Sequence, residues 1–286
     1  MRVSFLAVFL VLTMAMTAAA GPYDEPGIAA DSPTIIGWAT GYLNYLPADN
    51  VDAQWQDPQK ALGPATGNPN DVVALGERDV TSTEPPGEIT FTFDAELRDR
   101  AGADLVIFEN GFPAGDLLFG ELGFVEVSTD GENWARFLCV SLTAEPVGAY
   151  GTLDPTDIHN LAGKHPNAYG QSFGTPFDLA DLADDPAVQS GAVDLQNIRY
   201  VKIVDAPGGG NYFDDAVSFG YAANHPIYDA YPTTGSAGFD VEAVGVVDES
   251  ATGGQADDDT SDDDAGSSWN DDDQSSASGT TAGCGV

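Results

Sequence analysis

Residues 123–137 read GFVEVSTDGENWARF, and the order of residue types in this stretch decides the fold class. Val125 and Val127 alternate with Glu126 and Ser128, the two-residue period of a strand with one face in a core. Asp130-Gly131 follows, a pair suited to the positive φ angles of a tight reversal, and Trp134 begins a second apolar run. The stretch therefore predicts a β-hairpin with a solvent-facing turn, and a hairpin predicts an antiparallel sheet.

Working outward, strands are expected at 35–40, 72–75, 88–94, 104–109, 123–128, 134–142, 198–205 and 239–247. Ile89, Phe91 and Phe93 alternate cleanly with Thr90, Thr92 and Asp94, whereas residues 105–108 are apolar on both faces and so read as a central strand. Eight strands with almost no helical periodicity imply an all-β chain, an antiparallel two-sheet sandwich or jelly roll. Its interior should hold Phe91, Phe93, Val106, Phe108, Val125, Val127, Val201, Ile203 and Phe239. Residues 143–193 are rich in Gly, Pro, Asp and Asn and too long for a simple connection, so an ordered insertion is expected there. A short helix fits 177–182, started by Asp178 or Thr175, with Leu161, Phe173 and Phe177 to bury. A second long loop spans 208–235.

The ends differ from the body. Residues 1–20 set Arg2 before an apolar run and finish in Ala18, Ala19 and Ala20, the pattern of a cleaved secretory signal. The run is short for a membrane anchor, and no later stretch is long and apolar enough to span a bilayer. The mature chain is thus expected to be secreted or held at a cell surface. Residues 21–34 read as an extended lead-in, 35–247 as the sandwich, and 248–286 as a disordered Asp/Ser-rich tail that cannot bury enough apolar area to offset its ordering entropy. Cys139 and Cys284 make no disulfide framework, and Cys139 reads as a small buried hydrophobe.

The formal net charge is -37. Eleven of the 46 acids lie in 248–286 and one of the nine bases is Arg2, leaving 35 acids against eight bases, so the body alone carries about -27. Nucleic acid is excluded as a partner, because phosphate binding needs clustered Lys and Arg. The acidity has three readings: a solvating surface, adaptation to a salty medium, or oxygen ligands for calcium.

Taken in order, Ala61-Leu62-Gly63-Pro64, Val73-Ala74-Leu75-Gly76, Ile89-Thr90-Phe91, the run from Asp104 to Gly111, Val125 to Trp134, Tyr200 to Asp205 and Gly238 to Val244 resemble a group of bacterial cell-surface proteins. More distantly they are similar to the discoidin-like (coagulation factor 5/8 C-terminal), galactose-binding-like β-sandwich. The resemblance covers roughly residues 35–247 and names no catalytic residue. It implies a domain that binds carbohydrates, lipids or proteins through its loops, often with a structural calcium.

Candidate chemistry follows from carboxylates at strand ends. Glu109-Asn110 ends an apolar strand, Asp205 ends another, and Asp240 and Glu242 sit two apart on the last. Hard oxygen ligands drawn from separated strand ends are one way to hold calcium, and no EF-hand loop is present. The three histidines lack zinc spacing, and neither G-x-S-x-G nor a P-loop occurs. Tyr42, Tyr45, Trp55, Tyr150, Tyr169, Tyr212, Tyr228 and Tyr231 fall in or beside loops, where flat rings with polar edges suit sugar stacking, and Trp55, Tyr150, Tyr212, Tyr228 and Tyr231 are the candidate ligand-binding residues. The expectation is a non-catalytic protein that binds a carbohydrate or other surface component. Two rivals are a polysaccharide hydrolase or lyase built on paired carboxylates and a structural surface-layer component.

Overall fold

The structure is a computed structural model that describes residues 20–77 and 84–252. The predicted signal segment 1–19 and the tail beyond 252, with its Asp blocks and Cys284, lie outside the described residues. Sixteen strands are described: β1 Ile28–Ala29, β2 Ile35–Leu46, β3 Val73–Ala74, β4 Glu88–Leu97, β5 Leu105–Glu109, β6 Phe112–Ala114, β7 Leu117–Phe119 and β8 Gly123–Ser128. The others are β9 Ala135–Arg136, β10 Val140–Ser141, β11 Ile158–His159, β12 Phe173–Phe177, β13 Ile198–Asp205, β14 Gly209–Phe213, β15 Pro226–Tyr228 and β16 Asp240–Val247.

Cross-strand rows of branched and aromatic side chains fix the register. On β13, Ile203 lies opposite Ile89 of β4 and Val125 of β8, and Val201 lies opposite Phe91 and Val127. All six are fully buried. A one-residue slip would turn each row to the other face, so burial specifies the pairing. The hydrogen-bonded path runs β1-β12-β5-β16-β2-β4-β13-β8-β9, with β3 beside β16, and every strand pair in it is antiparallel. Long β2 joins the halves: Ile35, Gly37 and Trp38 pair with β16, and the stretch from Ala39 on pairs with β4. The main core draws Leu105, Ile107, Val244 and Val246 from one half and Ile89, Phe91, Val125 and Val201 from the other. The sheet thus curls over its own apolar face, an all-β antiparallel arrangement compatible with a β-sandwich.

The first hairpin forms as β8 and β9, with Val127 opposite Ala135, but its connection is longer than a tight two-residue turn. Gly131 takes φ +80°, and the Asp130 carboxylate accepts from the N–H groups of Glu132 and Asn133, both at 2.8 Å. Those bonds hold the Asp130 carboxyl well below the usual range because they favour its charged form. The insertion is ordered. Leu153, Ile158 and Leu161 join Leu118, Leu122, Phe124, Cys139 and Ile227 in a second buried cluster, while Phe173 remains 39% exposed. The expected short helix is a 3-10 turn, Leu179–Leu182, whose start is capped by Asp178 accepting from Ala180 N–H at 2.8 Å. Cys139 is buried and free, and burial pushes its thiol up to about 12. Packing runs just past Val247, where Asp248 N–H donates to Thr34 O at 2.8 Å. Among the described residues no helix is long and apolar enough to cross a membrane.

Candidate functional site

Antiparallel pairing brings strand ends from distant parts of the chain to one edge of the sheet. Glu109 at the end of β5 lies against the start of β16, where Asp240 stands. Asp205, the last residue of β13, pairs with Gly123 at the start of β8, two residues after Glu121. Asp240 pairs with Ala74 of β3, which leads to Glu77. Gly238 makes this convergence possible: at φ +66° a Cβ would lie 2.6–2.7 Å from the Gly76 carbonyl carbon, Asp205 Oδ1 and Glu77 N, so no side chain fits.

The result is a buried group of carboxyls. Glu77, Glu109, Glu121, Asp205, Asp229 and Asp240 are each 5% exposed or less. Burial raises Glu77 to about 7 and Asp240 to about 8, and it lifts Glu109, Glu121, Asp205 and Asp229 well above the carboxylate range, assisted by the neighbouring acids. The charged groups that act most strongly on these last four are other members of the cluster. No ion pair found among the described residues involves any of the six.

Part of the group is satisfied by hydrogen bonds. Asp229 Oδ2 accepts from Leu122 N–H at 2.8 Å, Asp205 Oδ1 from Phe239 N–H at 2.9 Å, and Glu109 Oε2 from Gly111 N–H at 2.8 Å. Thr233 Oγ1 accepts from Gly238 N–H at 3.0 Å and lies 2.6 Å from both Glu77 Oε1 and Glu121 Oε1. A hydroxyl has a single proton to donate, so the second short contact requires a proton on Glu77 or Glu121. Three oxygens accept nothing: Glu109 Oε1, Asp205 Oδ2 and Asp240 Oδ1. Asp240 keeps Asn110 Nδ2 on Oδ2 at 3.0 Å. Ser236 beside it also opposes the rise in pKa, yet no bond to Oδ1 forms.

Above this floor opens a cleft of about 520 Å³, with Glu121 and Asp240 at its base and Asn110, Thr233 and Ser236 beside them. Phe112, Phe119, Tyr150 and Tyr169 also line it. Phe112 and Phe119 are direct cross-strand partners on β6 and β7, which explains why their rings stack at 4.8 Å. Tyr169 meets Phe112 edge-on at 5.5 Å. Tyr150 and Tyr169 are 90% and 69% exposed, an arrangement that offers ring faces to a ligand.

Of the residues singled out from sequence, the structure brings Glu109, Asn110, Asp205 and Asp240 to this one edge and puts Tyr150 on the cleft wall. Tyr231 precedes Pro232, itself a wall residue. Glu242 is engaged elsewhere: it accepts from Thr66 N–H and Oγ1, both at 2.6 Å, and from Asn167 Nδ2, pinning two loops. Tyr212 packs on the second core cluster, 6.3 Å from the Phe124 ring. The Tyr228 ring crosses Gly210, and Lys60 lies 5.4 Å over Trp55. Tyr169, one of the loop aromatics, also lines the cleft, whereas sequence reasoning missed Glu77, Glu121, Asp229, Phe112 and Phe119. The one available signal was Glu121 standing alone inside the apolar run 117–125. No protein-family model matches this chain and no curated protein matches it.

Proposed function

We propose that the chain is an exported, non-catalytic binding protein with a galactose-binding-like two-sheet sandwich, and that it holds a carbohydrate in this cleft. The observation that carries the reading is one cleft lined both by aromatic rings, the exposed Tyr150 and Tyr169 beside Phe112, and by the polar groups of Asn110, Thr233, Ser236 and Asp240. Sugars present apolar C–H faces to rings and hydroxyls to fixed donors and acceptors, so a concave site with both suits them. A glycan-array screen of the purified mature protein, followed by calorimetry on the hits, tests it. Tyr150→Ala and Tyr169→Ala should each weaken binding about tenfold, or about 1.4 kcal/mol, whereas Trp55→Ala should leave it unchanged. An array without signal, or affinities indifferent to both tyrosines, would count against the cleft.

A polysaccharide hydrolase or lyase is a second reading favoured by one observation. Glu121 and Asp240 are buried carboxyls at the base of the same cleft, and burial holds both toward the protonated form that a general acid needs near neutral pH. Release of reducing ends from a bound glycan, abolished in Asp240→Asn with binding retained, would establish it in place of the first.

A further inference from the structure

The lead-in begins in a seat that fits one small residue. Gly21 N–H donates to Thr156 Oγ1 at 2.6 Å. The hydroxyl's own proton goes to Asp154 Oδ1 at 2.6 Å, so its lone pairs are left for Gly21. Pro22 has no N–H, and the next donor, Tyr23 N–H, reaches Thr156 O at 2.9 Å. One threonine thus grips the chain on both sides of the proline. A Cβ on Gly21 would lie 2.3 Å from Asp157 Oδ1 and 2.4 Å from Thr156 O, so any other residue would collide there. Ala20, one residue earlier, is exposed.

We propose that the exported chain is cut at the Ala20–Gly21 peptide bond and that the amine released on Gly21 is captured by the Asp157 carboxylate beside Thr156. The proposal rests on the export reading above and adds to it the fate of the new chain end. Hydrolysis by a signal-processing peptidase breaks the C–N bond. Water gives its hydroxyl to the Ala20 carbonyl carbon and a proton to the Gly21 nitrogen, and the acid proton of the new carboxyl passes to the amine, which is an ammonium below its ordinary pKa of about 7.7–8.0. An uncharged amide with one N–H becomes a cation with three. One N–H keeps Thr156 Oγ1. The nitrogen lies two bonds from the place a Cβ would take, so it is within about 5 Å of Asp157 Oδ1, the range over which opposite charges favour each other's ionised form. Burial and the charge of Asp154 both push the Asp157 carboxyl up, and an ammonium at that distance opposes both effects.

Packing further along the lead-in presents the amine to this seat. Lys164 Nζ donates to Tyr23 O at 2.8 Å, and His165 Nε2 lies 2.9 Å from Glu25 O. The Tyr23 ring stacks on His159 at 4.8 Å, and Ile28 pairs with Gly174 of β12. A segment tied at Tyr23, Glu25 and Ile28 leaves its first residue little room to swing away. Asp24, Glu25, His159 and Lys164 are the other titratable groups along this path, and the Lys164 ammonium is engaged by Glu25.

The test begins with the full-length chain produced in a secreting bacterial host, the first residue of the folded product being read by mass spectrometry. Gly21 is expected. A product that keeps residues 1–20 would overturn both this proposal and the export reading, and a cut elsewhere this proposal alone. The product is then acetylated with limiting acetic anhydride, and labelling of the Gly21 amine is followed by peptide mapping. At about pH 7 the wild-type amine should react about tenfold more slowly than that of Asp157→Asn, because the ion pair keeps it protonated. At about pH 10 the amine is neutral in both proteins, and the rates should converge. Steric shielding alone would slow both proteins alike, so equal rates at about pH 7 would overturn capture even with the cut in place. Asp31→Asn, at an exposed position of the same lead-in, should label like wild type. If Asp157→Asn fails to fold, the wild-type pH profile decides: a midpoint for Gly21 labelling no higher in the folded protein than in urea would overturn the proposal.

Discussion

Replacing Phe108 with alanine is expected to cost about 3–5 kcal/mol of stability, the range for truncating a large aromatic side chain in a packed core. Phe108 is fully buried, and it lies on the face of β5 opposite to Leu105 and Ile107, which belong to the main core. There it packs with Val106, Ala243 and Val247, its ring 5.6 Å from that of Trp38. Gly174 on neighbouring β12 is part of the fit: a Cβ there would lie 2.9 Å from Phe108 Cε2. The space around the ring is thus shaped by backbone and cannot readily collapse after truncation, which places the loss in a cavity rather than in repacking. Urea denaturation of the two proteins at matched slope measures the difference. Leu138→Ala, at a residue 45% exposed, serves as control and should change stability by less than about 0.5 kcal/mol. A comparably small effect at Phe108 would mean that β5 is not a central strand.

That strand was legible because residues 105–108 are apolar at every position, and β4, β8 and β13 were legible because Ile89-Phe91-Phe93, Val125-Val127 and Val201-Ile203 recur at the two-residue period. β12 was not. Its sequence, Phe-Gly-Thr-Pro-Phe, carries Gly174 and Pro176, which read as loop. Proline is tolerated because β1 covers only Gly174 and Phe173 on that side, so Pro176 sits beyond its partner's reach, in effect at an edge. Site residues divide along the same line. Glu109, Asn110, Asp205 and Asp240 could be picked out because a polar residue at the end of an apolar strand is locally anomalous. Glu77, Glu121 and Asp229 come from loops whose meeting depends on the register of four other strands, which no local pattern records. Glu242 shows where period alone misleads. Counting by two places it beside Asp240, but the pairing of β16 with β5 shifts register between Val241 and Ala243, as a bulge does, and Glu242 turns to Thr66 and Asn167.

Replacing Glu25 with alanine is expected to destabilise the protein by about 3–5 kcal/mol, although the residue lies in a lead-in segment with no core-forming pattern. The reason is its partner. Lys164 is 3% exposed, and its ammonium donates to Tyr23 O at 2.8 Å and to Glu25 Oε2, while His159 Nδ1 meets Glu25 Oε1 at 2.9 Å. The two sides of the pair register it differently. Burial works against the Glu25 charge, but bonds from His159 and Lys164 overcome it and hold the carboxyl down to about 2. Lys164 is shifted down as well, because its burial outweighs what Glu25 returns. The lysine decides the outcome, since the 39% exposed Glu25 side chain is already screened by water. Removing the acid strands a buried ammonium, the change that costs most in an ion pair, and Asp24, which also acts on Lys164, moves the figure toward the lower end. The double substitution Glu25→Gln with Lys164→Met should recover most of the loss, because an apolar side chain at the buried position and a neutral one at the partly exposed position leave no buried charge to solvate. Acid supplies the second readout. A carboxyl with its folded pKa below the unfolded value of about 4.5 contributes fully above that pH and loses its contribution as pH falls toward 2. Carboxyls raised by burial, such as Asp104 at about 7, have the opposite slope between their unfolded and folded pKa values, so the quantity to follow is the difference in stability between wild type and Glu25→Gln. That difference should be largest above pH 5 and shrink toward pH 2. A constant difference, or an alanine variant within 0.5 kcal/mol of wild type, would show that the lead-in is not held by this pair.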